Sequence, residues 1–206
     1  MPSRSLSSLE RDALREVASI GAGHAATALS QMTGSRIMIN VPEVELLAVD
    51  RLGDVVAPPN ARVAAVMMRV MGDFTGTTVV AADAGVAHSL CGMLLNRSAA
   101  GGADFDPMEQ STLKETGNIL CSAYLNALSD FLGLMLLPSV PDLVVDIAAT
   151  ALSPTLLRVE STNNPAFCVE TAFRIEGSER AQTAQFLLLP DPAALEVIFD
   201  AIQIAS

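Results

Sequence analysis

Polar and apolar positions interleave through two long stretches of the chain, Ser7 to Gly34 and Asp106 to Gly133, in the manner of helices about seven turns long. Each stretch opens with a start signal. Ser7 stands three residues before Glu10, and Asp106 and Pro107 precede Glu109, so a cap oxygen can accept orphan amides while the glutamate favours the positive end of the helix dipole. Each closes on a glycine, Gly34 or Gly133, which can take the left-handed conformation that ends a helix. Alternating or continuous apolar runs follow, Arg36 to Val49 and Met135 to Ala148, then Arg62 to Val70 and Phe167 to Ile175, and these read as strands. A turn at Gly72-Asp73 to Gly76 leads into a strand from Thr77 to Ala82, and a turn at Gly177 to Arg180 leads into one from Thr183 to Leu189. Amphipathic helices, Asp83 to Leu95 and Asp191 to Ile204, end each series.

The two series are copies of one another. Ser7 to Pro42 returns without gaps as Asp106 to Pro141 at a constant offset of 99, with ten identical positions. These pair Glu10 with Glu109, Leu14 with Leu113, Glu16 with Glu115, Ile20 with Ile119, the triplet Ala28-Leu29-Ser30 with Ala127-Leu128-Ser129, Gly34 with Gly133, Val41 with Val140 and Pro42 with Pro141. The link Asn96 to Ala103, rich in serine, alanine and glycine, falls between the copies. The architecture this predicts is α+β: one domain over residues 1–206, built from repeats at about 7–96 and 106–205, with pseudo-twofold symmetry and an antiparallel sheet covered by the two long helices.

Composition narrows the function classes. Half of the 206 residues are apolar, enough for a well-buried core, and the net charge of -11 repels phosphate backbones and anionic lipid headgroups. Cys91, Cys121 and Cys168 form no CxxC spacing, and an odd count cannot close a full disulfide framework. The first residues carry arginines but pass straight into charged helical sequence without an apolar leader. Phe131 to Leu152 is apolar enough to suggest a membrane span, yet Pro138, Pro141, Asp142 and Asp146 interrupt it, and it reads as buried strand. The expectation is a cytoplasmic protein with neither nucleic acid nor membrane as partner.

Chemistry is concentrated where the copies match. The second carries Ser111-x3-Glu115-x2-Asn118-x22-Pro141, and the first carries Asp12-x3-Glu16-x2-Ser19-x22-Pro42. Residues three apart on a helix share a face, so Glu115 and Asn118 project together, and an amide offers both a donor and an acceptor with which to hold a water. The spacing resembles the signature of the CheC, CheX and FliY phosphatases, which act on phosphorylated CheY, and within that group the chain is most similar to CheC. This resemblance implies hydrolysis of an aspartyl phosphate on a chemotaxis response regulator. Asn118 would orient the attacking water and Glu115 would pair with a lysine of the receiver domain. Mg²⁺ would come with the receiver, leaving this chain without a cofactor or metal of its own. An acyl phosphate is already labile, so an acceleration of roughly 10- to 1000-fold suffices.

The first copy departs at Ser19, which lacks a planar amide, so Glu16 and Ser19 are expected to form a weak or degenerate second site; Asp12, Pro42, Ser111 and Pro141 are supporting positions of the motif. The alternative is an adaptor that binds a receiver domain or the receptor deamidase CheD without turnover. A FliY-like switch component would carry a further assembly domain, for which this length leaves no room, and the duplication suits a monomer.

Several residues have plainer readings. Pro42 and Pro141 are expected to end or kink strands. His24 and His88 lack the spacing or cysteine partners that zinc requires. Gly21-Ala22-Gly23 follows no strand and precedes no lysine, so close helix packing accounts for it better than a phosphate loop. Cys121 has no histidine placed as a base and is expected to be a small buried residue. Gly117-Asn118, read as an exposed pair in mid-helix, carries a propensity cost of about 1 kcal/mol and so points to a function other than helix stability.

Overall fold

The computed structural model describes residues 7–41, 43–47, 52–98, 104–151, 166–175 and 182–205. The long helices are α1 (Ser8–Thr33) and α4 (Pro107–Leu132), matched residue for residue at the sequence offset. Both capping boxes form. Ser7 Oγ accepts the Glu10 N–H and Glu10 accepts the Ser7 N–H; Asp106 and Glu109 exchange the same pair. Gly34 and Gly133 close the helices at φ of 68° and 66°.

After α1 come β1 (Ile37–Asn40), β2 (Val44–Leu47), the short α2 (Leu52–Val56), β3 (Arg62–Gly72), β4 (Gly76–Asp83) and α3 (Ala84–Leu94). After α4 come β5 (Leu136–Pro138), β6 (Asp142–Ile147), the single turn α5 (Ala148–Ala151), β7 (Ala166–Ile175), β8 (Gln182–Pro190) and α6 (Pro192–Ala205). The eight strands form one antiparallel sheet. Its order is β1-β7-β8-β4-β3-β5, with β2 also on β7 and β6 also on β3.

The copies therefore exchange strands. Ile37 lies opposite Ile175 and Val44 opposite Val169, so the first copy's opening strands belong to the second copy's edge. Arg62 lies opposite Ile147 and Val70 opposite Pro138, which is the reciprocal exchange. The pseudo-twofold axis passes between β4 and β8, where Val79 faces Leu187.

Strand side chains alternate between two faces. Met68, Val70, Val169, Phe173, Phe186 and Leu188 meet α1, α3, α4 and α6 in the main core, whereas Ala65, Val79, Ala81, Cys168, Leu187 and Leu189 gather on the other side with Leu47 and Leu52. The two long helices pack on each other. Gly21 is the contact point: a Cβ there would lie 2.6 Å from Tyr124 Cδ1 and 3.0 Å from the Tyr124 backbone. Tyr124 is itself anchored, its hydroxyl 2.9 Å from Thr171 Oγ1 on β7.

The described part of the Phe131 to Leu152 stretch, up to Ala151, differs from expectation. It holds the end of α4, two short edge strands and α5, and much of it is exposed: Leu137 and Val140 face outward and β6 is only half-buried. The cause is the exchange, which puts β5 and β6 outside β3, where no strand lies beyond them among the described residues. Between Val70↔Pro138 and Met67↔Asp142, two residues of β3 oppose three of the partner, a bulge at Ser139–Pro141 that Ser139 ties by hydrogen bonds to Arg69. Pro141 thus interrupts the strand, as its missing N–H dictates. Pro42 and the turn at 177–180 lie outside the described residues.

Candidate functional site

One side of α4 is sealed and the other is open. Thr112, Leu113, Thr116, Gly117 and Leu120 are buried toward the sheet, which leaves Ser111 and Glu115 exposed and Asn118 half-buried along the outer stripe. Helical spacing puts Glu115 and Asn118 on adjacent turns of one face. Among the described residues, neither side chain is tied by a hydrogen bond or ion pair to the rest of the chain. A carboxylate and an amide are thereby free to meet groups from outside, the first as an acceptor, the second as both donor and acceptor.

On α1 the equivalent stripe carries Asp12, Glu16 and Ser19, all exposed. Its chemistry differs in a way the structure makes concrete. Ser19 Oγ donates to the Arg15 carbonyl at 2.8 Å, so its proton is spent within its own helix. The two stripes lie on separate helices, each presenting its own group of residues.

Gly117 requires a correction. It is buried, not exposed, and a Cβ there would lie 2.5 Å from Val66 Cγ1 and 2.7 Å from Val66 Cβ on β3. The glycine allows α4 to sit close on the sheet, so its cost in helix propensity has a packing reason and says nothing about Asn118. The reading of Gly21 as a close-packing residue agrees with its contact with α4, whereas Gly23 faces open space.

The remaining candidates fall outside the stripes. His24 is exposed. His88 is buried in α3, stacked on Phe105 with ring centroids 3.9 Å apart, and its Nδ1 lies 3.4 Å from Glu109 Oε1. Burial pushes the thiols of Cys91, Cys121 and Cys168 up to about 12, far from a thiolate nucleophile at neutral pH. Among the described residues no three His, Cys, Asp or Glu side chains converge as metal ligands, and no helix is long and apolar enough to cross a membrane.

Sequence reasoning missed one polar cluster. Arg97, just after α3, donates to Asp106 at 2.7 Å and reaches Glu109 at 3.3 Å, so the first residues of the link are held against the start of α4. The Glu109 N–H, followed by the Arg97 guanidinium, holds the Asp106 carboxyl below its usual range. The capping box marked Glu109 as a helix-start residue, but nothing in the spacing announced that it would also meet His88.

The CheC-like family profile matches residues 9–46 and 108–145, the two helix-and-strand units that carry the stripes. CheY-P phosphatase CheC of Bacillus subtilis is 33% identical over 94% of this chain and 93% of its own length. The chain belongs to the CheC-like family. A second CheC-like relative, putative CheY-P phosphatase CheC1 of Halobacterium salinarum, is 26% identical over 68% of the chain and 73% of its own length. Among solved structures, Thermotoga maritima FliY superposes with a TM-score of 0.79 at 19% identity, covering 98% of this chain and 99% of that one. At that identity the likeness establishes a shared fold, and the fold is the CheC-like duplication with its exchanged strands.

Proposed function

We propose that this CheC-like chain is a cytoplasmic phosphatase that hydrolyses the aspartyl phosphate of a CheY-like response regulator, with Glu115 and Asn118 as its working pair. The observation that carries the reading is the unengaged Glu115–Asn118 pair on the outer face of α4, in a chain whose Bacillus relative is a CheY-P phosphatase.

The chemistry follows from what α4 can present. A receiver that docks along the stripe brings its phosphoaspartate, with the Mg²⁺ it holds, toward the helix. Asn118 accepts a hydrogen bond from a water with its carbonyl oxygen and orients it in line with phosphorus, which converts a random encounter into a positioned one. Glu115 pairs with a cationic side chain of the receiver and fixes the approach. Ser111 and the bulge at Pro141 shape the surroundings without entering the reaction.

The α1 face has the carboxylate, but its hydroxyl is engaged with Arg15. It serves as a docking surface with little turnover of its own.

The test is the decay of radiolabelled phospho-receiver in Mg²⁺, alone, with the wild-type chain and with Asn118→Ala. Accelerated decay with wild type that disappears in the variant is the expected result. Full activity in Asn118→Ala removes Asn118 from the site, and no acceleration by the wild type removes the phosphatase reading.

A further inference from the structure

Leu9 and Met108 are equivalent residues, each the second residue of its long helix, and they are 61% and 59% exposed. A single exposed apolar side chain needs no explanation. Two at the same offset, with the same exposure and different side chains, make a pattern. Neither belongs to a core cluster. Neither acts as a helix staple either: the residues that a staple would join are Phe105, which stacks on His88, and the polar Gln110.

Their position on the helix is informative. Seven residues make almost two full turns, so Met108 lies on the same stripe as Glu115, about 10 Å before it and about 15 Å before Asn118. Leu9 stands in the same relation to Glu16. The stripe therefore runs apolar, polar, acidic, amide in the second copy, and apolar, acidic, acidic, hydroxyl in the first. An ordinary interface is wider than 15 Å, so a partner touching Asn118 also covers Met108.

We propose that Met108 is the apolar docking anchor for the receiver domain, seated against an apolar patch on the receiver about 15 Å from its phosphoryl group, with Leu9 the matching anchor of the α1 face. This rests on the phosphatase reading of the Glu115–Asn118 stripe and supplies what that stripe lacks. Charged and amide groups set orientation at modest net affinity, whereas a flexible thioether buried at the rim adds binding that is equal in ground and transition states. Such binding lowers KM and leaves kcat alone.

The experiment measures KM and kcat for phospho-receiver decay with the wild type, Met108→Glu, Met108→Leu and Met71→Glu, the last an exposed methionine near the end of β3 that controls for added charge. Met108→Glu is expected to raise KM by roughly 10- to 100-fold, the value of one buried methionine, with kcat retained; Met108→Leu stays near wild type and Met71→Glu raises KM far less. An unchanged KM in Met108→Glu, a loss confined to kcat, or an equal effect of Met71→Glu overturns the proposal. A wild type without phosphatase activity refutes the enzymatic reading instead. Titration of fluorescently labelled receiver activated with beryllofluoride then decides the anchor: weaker binding by Met108→Glu upholds it, and equal binding overturns it.

Discussion

Gly21 and Gly23 sit two residues apart in α1, and replacing each by alanine changes helix propensity by the same amount, a gain of about 1 kcal/mol. Their surroundings differ completely. At Gly23 a Cβ meets nothing within 4 Å, so Gly23→Ala keeps the whole gain. At Gly21 it lands 2.6 Å from Tyr124 Cδ1, 3.0 Å from the Tyr124 Cα and 3.1 Å from the Ala123 carbonyl oxygen. Tyr124 cannot swing aside, because its ring packs on Phe186 and its hydroxyl is held by Thr171. The helices must instead separate, a rearrangement that costs about 1–3 kcal/mol in a packed core. Gly21→Ala is thus expected to lie about 1–3 kcal/mol below Gly23→Ala in stability, because the propensity gain cancels from the comparison. For a chain of this size the gap corresponds to about 2–12 °C in melting temperature. Thermal unfolding followed by circular dichroism, with guanidinium midpoints as a second measure, reads the difference directly. Equal melting temperatures for the two variants would refute the close approach of α1 and α4 at Gly21.

Four other outcomes follow from the same geometry. Ser19→Asn places an amide on the α1 stripe and is expected to raise the phosphatase rate up to about twofold, read in the phospho-receiver assay, because a second competent face doubles the sites. Glu109→Ala removes the acceptor for the Asp106 amide and the only hydrogen-bonding neighbour of buried His88 among the described residues; a loss of roughly 2–3 kcal/mol is expected in denaturant unfolding. Gly117→Ala forces α4 off Val66 and lowers the melting temperature, while Glu115 and Asn118 move together on their helix; the measured kcat therefore falls less than in Asn118→Ala. The three thiols, raised from 9.0 to about 12 mainly by burial, stay protonated in the fold while those of the unfolded chain ionise. The unfolded state then holds fewer protons than the native one, so stability is full below pH 9.0 and declines toward about 12, joined above 10.0 by Tyr124; guanidinium midpoints that stay flat with alkaline pH would contradict this.

The two long helices could be read closely in the sequence because their signals are local, whereas the short α2 and α5 carry no such caps and went unread. Ser7 with Glu10, Asp106 with Glu109, and the closing glycines Gly34 and Gly133 each specify a cap through atoms a few residues apart. The Glu115–Asn118 stripe was legible for the same reason: three-residue spacing on a helix fixes a face whatever lies beneath. Strand pairing is nonlocal, and nothing in Ile37 or Val44 names β7 as its neighbour. The edge position of β5 and β6 was hidden with it, and so was the exposure of Val140, whose identical counterpart Val41 is buried. Gly117 misled in an instructive way. A glycine in mid-helix signals some constraint, but only the position of Val66 reveals that the constraint is packing. The polar junction of Arg97, Asp106, Glu109 and His88 joins residues from α3, the link and α4, a meeting that no linear spacing encodes.

The exchange of opening strands between the copies has a consequence for how the chain is made. On the ribosome, Ile37 and Val44 emerge long before Ile175 and Val169, the residues they pair with. At synthesis rates of roughly 5–20 residues per second, that interval is on the order of ten seconds. During it, the nascent amino-terminal half holds unpaired strands rich in isoleucine, leucine and valine, with β3 also lacking its outer neighbours until β5 and β6 arrive. The newborn first copy is therefore an unfinished sheet, a natural client for chaperones, and it becomes a native structure only when the second copy has left the exit tunnel.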